Sequence, residues 1–337
     1  MALRFIDGFD HYTTLTAMAY KWTSFTYNPT PNTAGRRSGS LAVSTGNSSF
    51  TKTLDSQSIW ILGFAFKAST VPTGDRAFVS FFDSSSSVQI EFDLSTGLLI
   101  KAYRGGGVTL LATATAALVP ATWCYLEFKI TIADSSGIIE VRKDGVTILS
   151  YTGDTKYSSS LSTACNFWLG GGNGSGTYIF DDLYICDGTG TINNDFLGDV
   201  RVDTLYPTAA GASAQFTPVG DATNYSNVDD ATPDTDTTYN YADTADYSDS
   251  FVCGDVSTLG ATVYGVQANL LARKDDAGTR TIAALSRISG TNYAGAALAL
   301  SDSYVNLPQI WQTNPATSSA WTESSINGAE FGYKVVA

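Results

Sequence analysis

The chain is predicted to be all-β, folded as two β-sandwich-like domains. Three observations predict this. Short runs of strand-forming residues recur along the sequence, several of them alternate apolar with polar side chains, and a cluster of turn residues closes each run. At 337 residues the chain is long enough for two domains that each bury a core. Charged residues make up only 15%, against about 25% in an ordinary globular protein. Ser, Thr, Gly, Ala and Asn fill the difference, a mix suited to strands with short polar turns.

In chain order, the first strand candidates are 58–66, 77–82, 88–93 and 97–103, followed by the longer run 123–132. In the last of these Leu126, Phe128, Ile130 and Ile132 alternate with Glu127, Lys129 and Thr131. That period of two marks a strand with one buried face. Asp144-Gly145 supplies the positive-φ pair of a two-residue hairpin joining 138–142 to 146–149. Arg104-Gly105-Gly106-Gly107 makes a second turn, into Thr109-Leu110-Leu111. The first domain is expected to span 1–196 and the second 197–337, divided by the loop after Tyr184-Ile185-Cys186-Asp187.

The second half differs in composition. No Lys or Arg occurs from Val202 to Ala272, and the stretch Asp229–Asp249 holds seven Asp among Thr and Tyr. Such a segment has too few large aliphatics to form a core and is expected as a surface loop or edge strands. Beyond it, 261–271 reads as a long strand and 280–288 as its partner, across the turn residues Lys274-Asp275-Asp276-Ala277-Gly278. A short helix is expected within 320–328, stopped by Asn327 or Gly328, and a final strand over 330–336.

A net charge of −13 disfavours nucleic-acid backbones and anionic membranes. The one basic cluster, Arg36-Arg37, is too small for a nucleic-acid patch. No run of about 18 apolar residues is present, so no transmembrane helix is expected. The N-terminus lacks a signal-peptide core, which points to synthesis in a cytoplasm. Gly170–Gly176 is glycine-rich but has no Lys or helix start, so it reads as a turn and not a phosphate loop. Cys124, Cys165, Cys186 and Cys253 form no CxxC pair and are expected as buried free thiols.

Residues 3–190 resemble the concanavalin-like, laminin-G-like jelly rolls. The resemblance rests on Asp7-Gly8-Phe9-Asp10-His11-Tyr12, on Trp123-Cys124-Tyr125-Leu126-Glu127-Phe128 with the Asp144-Gly145 hairpin, and on Phe180-Asp181-Asp182-Leu183-Tyr184-Ile185. It implies that the first and last strands lie side by side. The second half resembles a C-terminal region of tailed-phage structural proteins, on 196–202, Leu205-Tyr206-Pro207, 272–280, 310–317, Trp321-Thr322-Glu323 and 331–336. That resemblance implies a virion component.

Reactive groups are sparse. The single histidine, His11, is expected to be structural or exposed. Glu91 and Asp93 share one face of a strand, but the denser acidic run of glycosidases with this fold is missing, and the pair is expected to face solvent. The laminin-G-like resemblance implies calcium as the candidate metal, on Asp181 and Asp182; no other cofactor is expected. Tyr225, Tyr239, Tyr241 and Tyr247 lie in polar sequence and are candidate interaction residues. The expected function is therefore a non-enzymatic structural component of a bacteriophage particle, located in the virion, self-associating and bound to other virion proteins. A carbohydrate-binding adhesion module, and behind it a concanavalin-fold glycoside hydrolase, are the alternatives.

Overall fold

The computed structural model describes residues 2–27, 29–32, 35–37, 40–43, 48–157, 161–171, 174, 176–256 and 260–337. Of the Gly170–Gly176 turn, Gly172, Asn173 and Ser175 lie outside the described residues. The protein is all-β and divides into two compact units, Met1–Val202 and Asp203–Ala337. No helix among the described residues is long and apolar enough to cross a membrane.

The first unit runs β1 (Leu3–Asp7), α1 (Leu15–Lys21), β2 (Ser24–Thr26), β3 (Thr30–Asn32), β4 (Ser40–Val43), β5 (Ser49–Gln57), β6 (Ile59–Ala68), β7 (Arg76–Phe82), β8 (Val88–Leu94), β9 (Ile100–Arg104), β10 (Thr109–Thr113), β11 (Cys124–Thr131), β12 (Gly137–Lys143), β13 (Val146–Gly153), β14 (Ala164–Gly170) and β15 (Tyr178–Asp187). An eight-stranded sheet has the order β13-β12-β11-β6-β15-β4-β3, with β1 also paired to β15. A seven-stranded sheet has the order β10-β9-β8-β7-β14-β5-β2. The two pack face to face as a β-sandwich over one apolar core, which takes Leu126, Phe128 and Ile130 from β11, Phe64 and Phe66 from β6, and Ile90 and Phe92 from β8. Leu126, Phe128 and Ile130 thus face the core as read, while Glu127 on the opposite face is buried as well. First and last strands lie side by side, Phe5 opposite Ile185. Asp144 and Gly145 both take positive φ, 51° and 80°, which closes the two-residue hairpin between β12 and β13.

The start of the chain is anchored by a buried carboxylate. Asp7, fully buried, accepts hydrogen bonds from the Tyr12 hydroxyl (2.6 Å), Trp22 Nε1 (2.7 Å) and the Phe9 amide (3.0 Å), with the Lys21 ammonium at 3.4 Å. Burial works to raise the Asp7 pKa, but Lys21, His11, Tyr12 and Phe9 together hold it below the usual range. Trp22 is thereby fixed edge-on to Phe5 and Phe50 in the core.

Residues 197–202 belong to the sandwich, six residues past the boundary read from sequence. Buried Glu127 accepts from the Tyr184 hydroxyl (2.6 Å) and the Gly198 amide (2.8 Å), and the Leu197 amide donates to Tyr184 (3.1 Å). The Val202 amide donates to Asp182 Oδ1 at 2.9 Å. These bonds strap the segment along β11 and β15. Tyr184 reaches Glu127 by lying across Gly63, where a Cβ would stand 2.1 Å from its ring; only glycine admits that approach.

The second unit runs β16 (Pro207–Ala214), β17 (Thr217–Val219), β18 (Tyr239–Tyr241), β19 (Ser248–Cys253), β20 (Val266–Ala272), β21 (Thr281–Ile288), β22 (Thr291–Ala294), β23 (Leu298–Ala299), β24 (Val305–Trp311), α2 (Glu323–Asn327) and β25 (Glu330–Val335). A six-stranded sheet has the order β16-β19-β25-β21-β22, with β23 on β21. The β20–β24 ribbon and α2 cover it through Trp311, Trp321, Ile326, Val266 and Leu270. Helix α2 begins in a capping box on Thr322 and stops at Gly328. The strand after 261 begins only at Val266, and its partner is β24 rather than β21, which pairs instead with β22, β23 and β25.

The acidic segment is neither a core element nor a free loop. β17 and β18 pair as a two-stranded ribbon. Fully buried Asp249 then holds its base, accepting from the Gln215 amide (2.7 Å), the Phe216 amide (3.0 Å), Asn224 Nδ2 (2.6 Å) and the Tyr333 hydroxyl. Asn240 bridges the Asn224 carbonyl (2.7 Å) and Tyr333 (2.8 Å).

Candidate functional site

Strand alternation places a row of side chains on the outer face of the seven-stranded sheet. In β8, Ile90 and Phe92 enter the core, so Glu91 and Asp93 face outward. In β14, Phe167 and Leu169 enter the core and Trp168 faces outward; in β9, Ile100 and Ala102 do so and Tyr103 faces outward. Register aligns them: Trp168 lies opposite Ser80, Ser80 opposite Glu91, Glu91 opposite Tyr103, and Tyr103 opposite Leu110. Trp168, Glu91 and Tyr103 are half-buried. Glu91, with Asp93 two residues along the same strand, thus lies in one row with two aromatic side chains on the outer sheet face.

The pair is not a solvent-facing ornament, contrary to the expectation from sequence. Asp93 is only 8% exposed. Burial raises the Glu91 pKa to about 7, aided by the charge of Asp93 and a hydrogen bond to it, and opposed by the Ser80 hydroxyl, which donates at 3.4 Å. Asp93 is also raised by burial, with the bond from Glu91 opposing. Burial and the neighbouring carboxyl thus disfavour full ionisation of the pair. Asp93 Oδ1 and Arg76 Nε are buried without hydrogen-bond partners. At the rim the Lys101 ammonium pairs with Asp75 at 2.6 Å.

The turn beyond β9 lies close to Glu91. Gly105, Gly106 and Gly107 all have positive φ (74°, 61° and 78°). A Cβ on Gly107 would lie 3.5 Å from Glu91 Oε1. Three consecutive residues in this region are affordable only for glycine.

Asp181 and Asp182, the calcium candidates, are met by groups of the chain itself. Asp181 accepts from the Arg36 amide (2.9 Å) and the Asp182 amide (2.9 Å). Asp182 Oδ1 accepts from Val202, and its Oδ2 faces the guanidinium groups of Arg37 (3.5 Å) and Arg36 (3.9 Å). The same two arginines also meet Asp199. Among the described residues no group of three or more His, Cys, Asp or Glu is placed to hold a metal ion. His11 lies against the Tyr12 ring, its pKa pushed down to about 4 by burial, with Asp7 opposing. All four cysteines are free; Cys124, Cys165 and Cys186 are buried and Cys253 is half-buried.

The four tyrosines of the second unit differ in exposure. Tyr241 is 52% and Tyr247 38% exposed, while Tyr225 and Tyr239 are half-buried. Sequence reasoning found Glu91 and Asp93 but missed Trp168 and Tyr103. The alternation around each was visible; the strand order that brings them beside Glu91 was not.

No family model matches the chain, and no curated protein matches it in sequence. Similar solved structures include "Cellulose induced protein, Cip1" (12% identity, TM-score 0.41, covering 54% of this chain and 96% of that one). Another is the carbohydrate binding module CBM66 from Bacillus subtilis (13% identity, TM-score 0.35, 49% and 97%). A sialidase matches at 10% identity and TM-score 0.39 over 55% of this chain, which spans only 18% of that chain's length.

Proposed function

We propose that the chain is a non-enzymatic glycan-binding protein whose sandwich presents the outer face of the seven-stranded sheet to a saccharide. The observation that carries this is the aligned row Trp168, Ser80, Glu91 and Tyr103. Aromatic faces offer large apolar area to the C–H surface of a sugar ring at low entropic cost. A carboxylate between them accepts hydroxyl protons in charge-assisted hydrogen bonds. Binding without cleavage is favoured because the denser acidic run of glycosidases with this fold is missing around Glu91 and Asp93.

Trp168→Ala is expected to weaken saccharide binding by about tenfold or more, with the thermal transition unchanged and the ligand recovered intact. A broad glycan array with no hits for the wild-type protein would sink the proposal.

A role in the assembly of a phage particle is a second reading. It draws support from the exposed rings of Tyr241 and Tyr247 in the second unit, since tyrosine is enriched at protein contacts. On that reading the purified chain runs above its monomer mass in light scattering, and Tyr241→Ser/Tyr247→Ser shifts it to monomer. A strictly monomeric wild-type chain that binds no particle component counts decisively against it.

A further inference from the structure

We propose that the outer face of the β17–β18 ribbon, centred on Tyr239 and Tyr241, docks an extended, Lys- or Arg-rich segment of another protein. This goes beyond the glycan-binding reading, which concerns the other unit, and does not depend on it.

Register sorts the ribbon into two faces. Thr217 lies opposite Tyr241 and Val219 opposite Tyr239, with Pro218 opposite Asn240 between them. Side chains alternate along a strand, so Thr217, Val219, Tyr239 and Tyr241 share one face and Pro218 and Asn240 the other. Asn240 shows which face is inner. Its Nδ2 donates to the Asn224 carbonyl (2.7 Å) and the Tyr333 hydroxyl (2.8 Å), and its Oδ1 accepts from Asn227 (3.0 Å). The tyrosine face is therefore the outer one. Thr217 and Tyr241 are exposed, and Val219 and Tyr239 are half-buried. Among the described residues neither tyrosine side chain has a ring contact or a hydrogen bond.

Charge identifies the occupant. Asn227 is buried and accepts from the Asp221 amide (3.0 Å) while donating to the Tyr239 carbonyl (2.9 Å). The acidic loop is thereby folded against the Tyr239 end of the face. The Thr238 hydroxyl donates to Asp234 at 2.9 Å. Burial and the charges of Asp234, Asp229 and Asp221 raise the Asp230 pKa, so these carboxylates lie within reach of one another's fields. Asp236 pairs with Arg273 and Asp246 with Lys334. Among the described residues Asp221, Asp229, Asp230, Asp234 and Asp243 have no ion pair. No Lys or Arg occurs from Val202 to Ala272 to supply one locally. Tyrosine rings attract ammonium and guanidinium groups over their faces, and carboxylates accept from the same groups in charge-assisted hydrogen bonds. A second copy would bring the same carboxylates to the contact, and like charges across an interface are costly. An extended partner presents every second side chain to one surface, about 7 Å apart, the spacing of Tyr239 and Tyr241 on their strand.

The test is fluorescence anisotropy of the full chain with labelled decapeptides of alternating Lys-Thr, Ser-Thr and Glu-Thr, beside light scattering of the chain alone. The Lys-Thr peptide is expected to bind, and to bind more weakly as salt rises from about 50 to 300 mM, while the other two do not bind. Asp221→Asn/Asp229→Asn/Asp230→Asn weakens it about tenfold or more. Tyr241→Ala weakens it and Tyr241→Phe does not, because the ring face and not the hydroxyl meets the cation. Asp55→Asn/Asp134→Asn/Asp195→Asn removes as many exposed charges from the other unit and leaves binding within about twofold. Equal losses in the two triple variants reduce the effect to net charge and overturn the inference. So do equal binding of the Ser-Thr peptide, binding of no peptide, or a wild-type oligomer that Tyr241→Ala converts to monomer, which assigns the face to a second copy. None of these outcomes touches saccharide binding by the sandwich.

Discussion

Replacing Asp7 with alanine is expected to destabilise the sandwich by about 3–5 kcal/mol, the range for stripping one partner from a buried ion pair. Asp7 is fully buried and satisfies Tyr12, Trp22 and the Phe9 amide at once. Lys21 is 8% exposed and has its ammonium 3.4 Å from that carboxylate. Burial already lowers the Lys21 pKa, with Asp7 opposing. Without Asp7, Lys21 either gives up its proton or leaves the core, and Trp22 loses the bond that orients it against Phe50. Urea unfolding monitored by hydrogen exchange in β1, β5 and β15 reads the loss. Asp7→Ala/Lys21→Met should recover part of it, because the double change leaves no unpaired charge. A loss below about 1 kcal/mol in the single variant means that the pair is not structural.

Asp249→Ala is the corresponding experiment in the second unit. Four donors converge on this one carboxylate, two of them backbone amides. Each buried donor left without an acceptor costs about 1–3 kcal/mol. The expected result is release of the acidic segment: hydrogen-exchange protection at 215–250 falls by about a hundredfold, while the sandwich is unaffected. Unchanged protection shows that the β17–β18 ribbon holds the segment without this carboxylate.

Much of the sandwich was legible because its determinants are local. The period of two over Leu126–Ile132 and the Asp144-Gly145 hairpin each need only neighbouring residues to be read. Pairing between distant strands is different in kind. Residues 261–271 and 280–288 are adjacent in sequence and both strand-like, yet β20 pairs with β24, which carries Pro308 in its middle and so reads poorly as a strand. The candidate site divides the same way. Glu91 and Asp93 sit two apart on one strand and were visible together. Trp168 joins them only through the order β14-β7-β8, which no local signal specifies. The buried roles of Asp7 and Asp249 were hidden because a single acidic letter does not say which distant donors will meet it.

The strap over Glu127 and Tyr184 bears on how this chain can be divided. A fragment ending at residue 196 would uncover a carboxylate and a phenol whose partner amides had been cut away. A fragment ending at Val202 carries its own lid and keeps Asp182 capped. Where one autonomous piece stops is thus decided by hydrogen-bond closure several residues beyond its last strand.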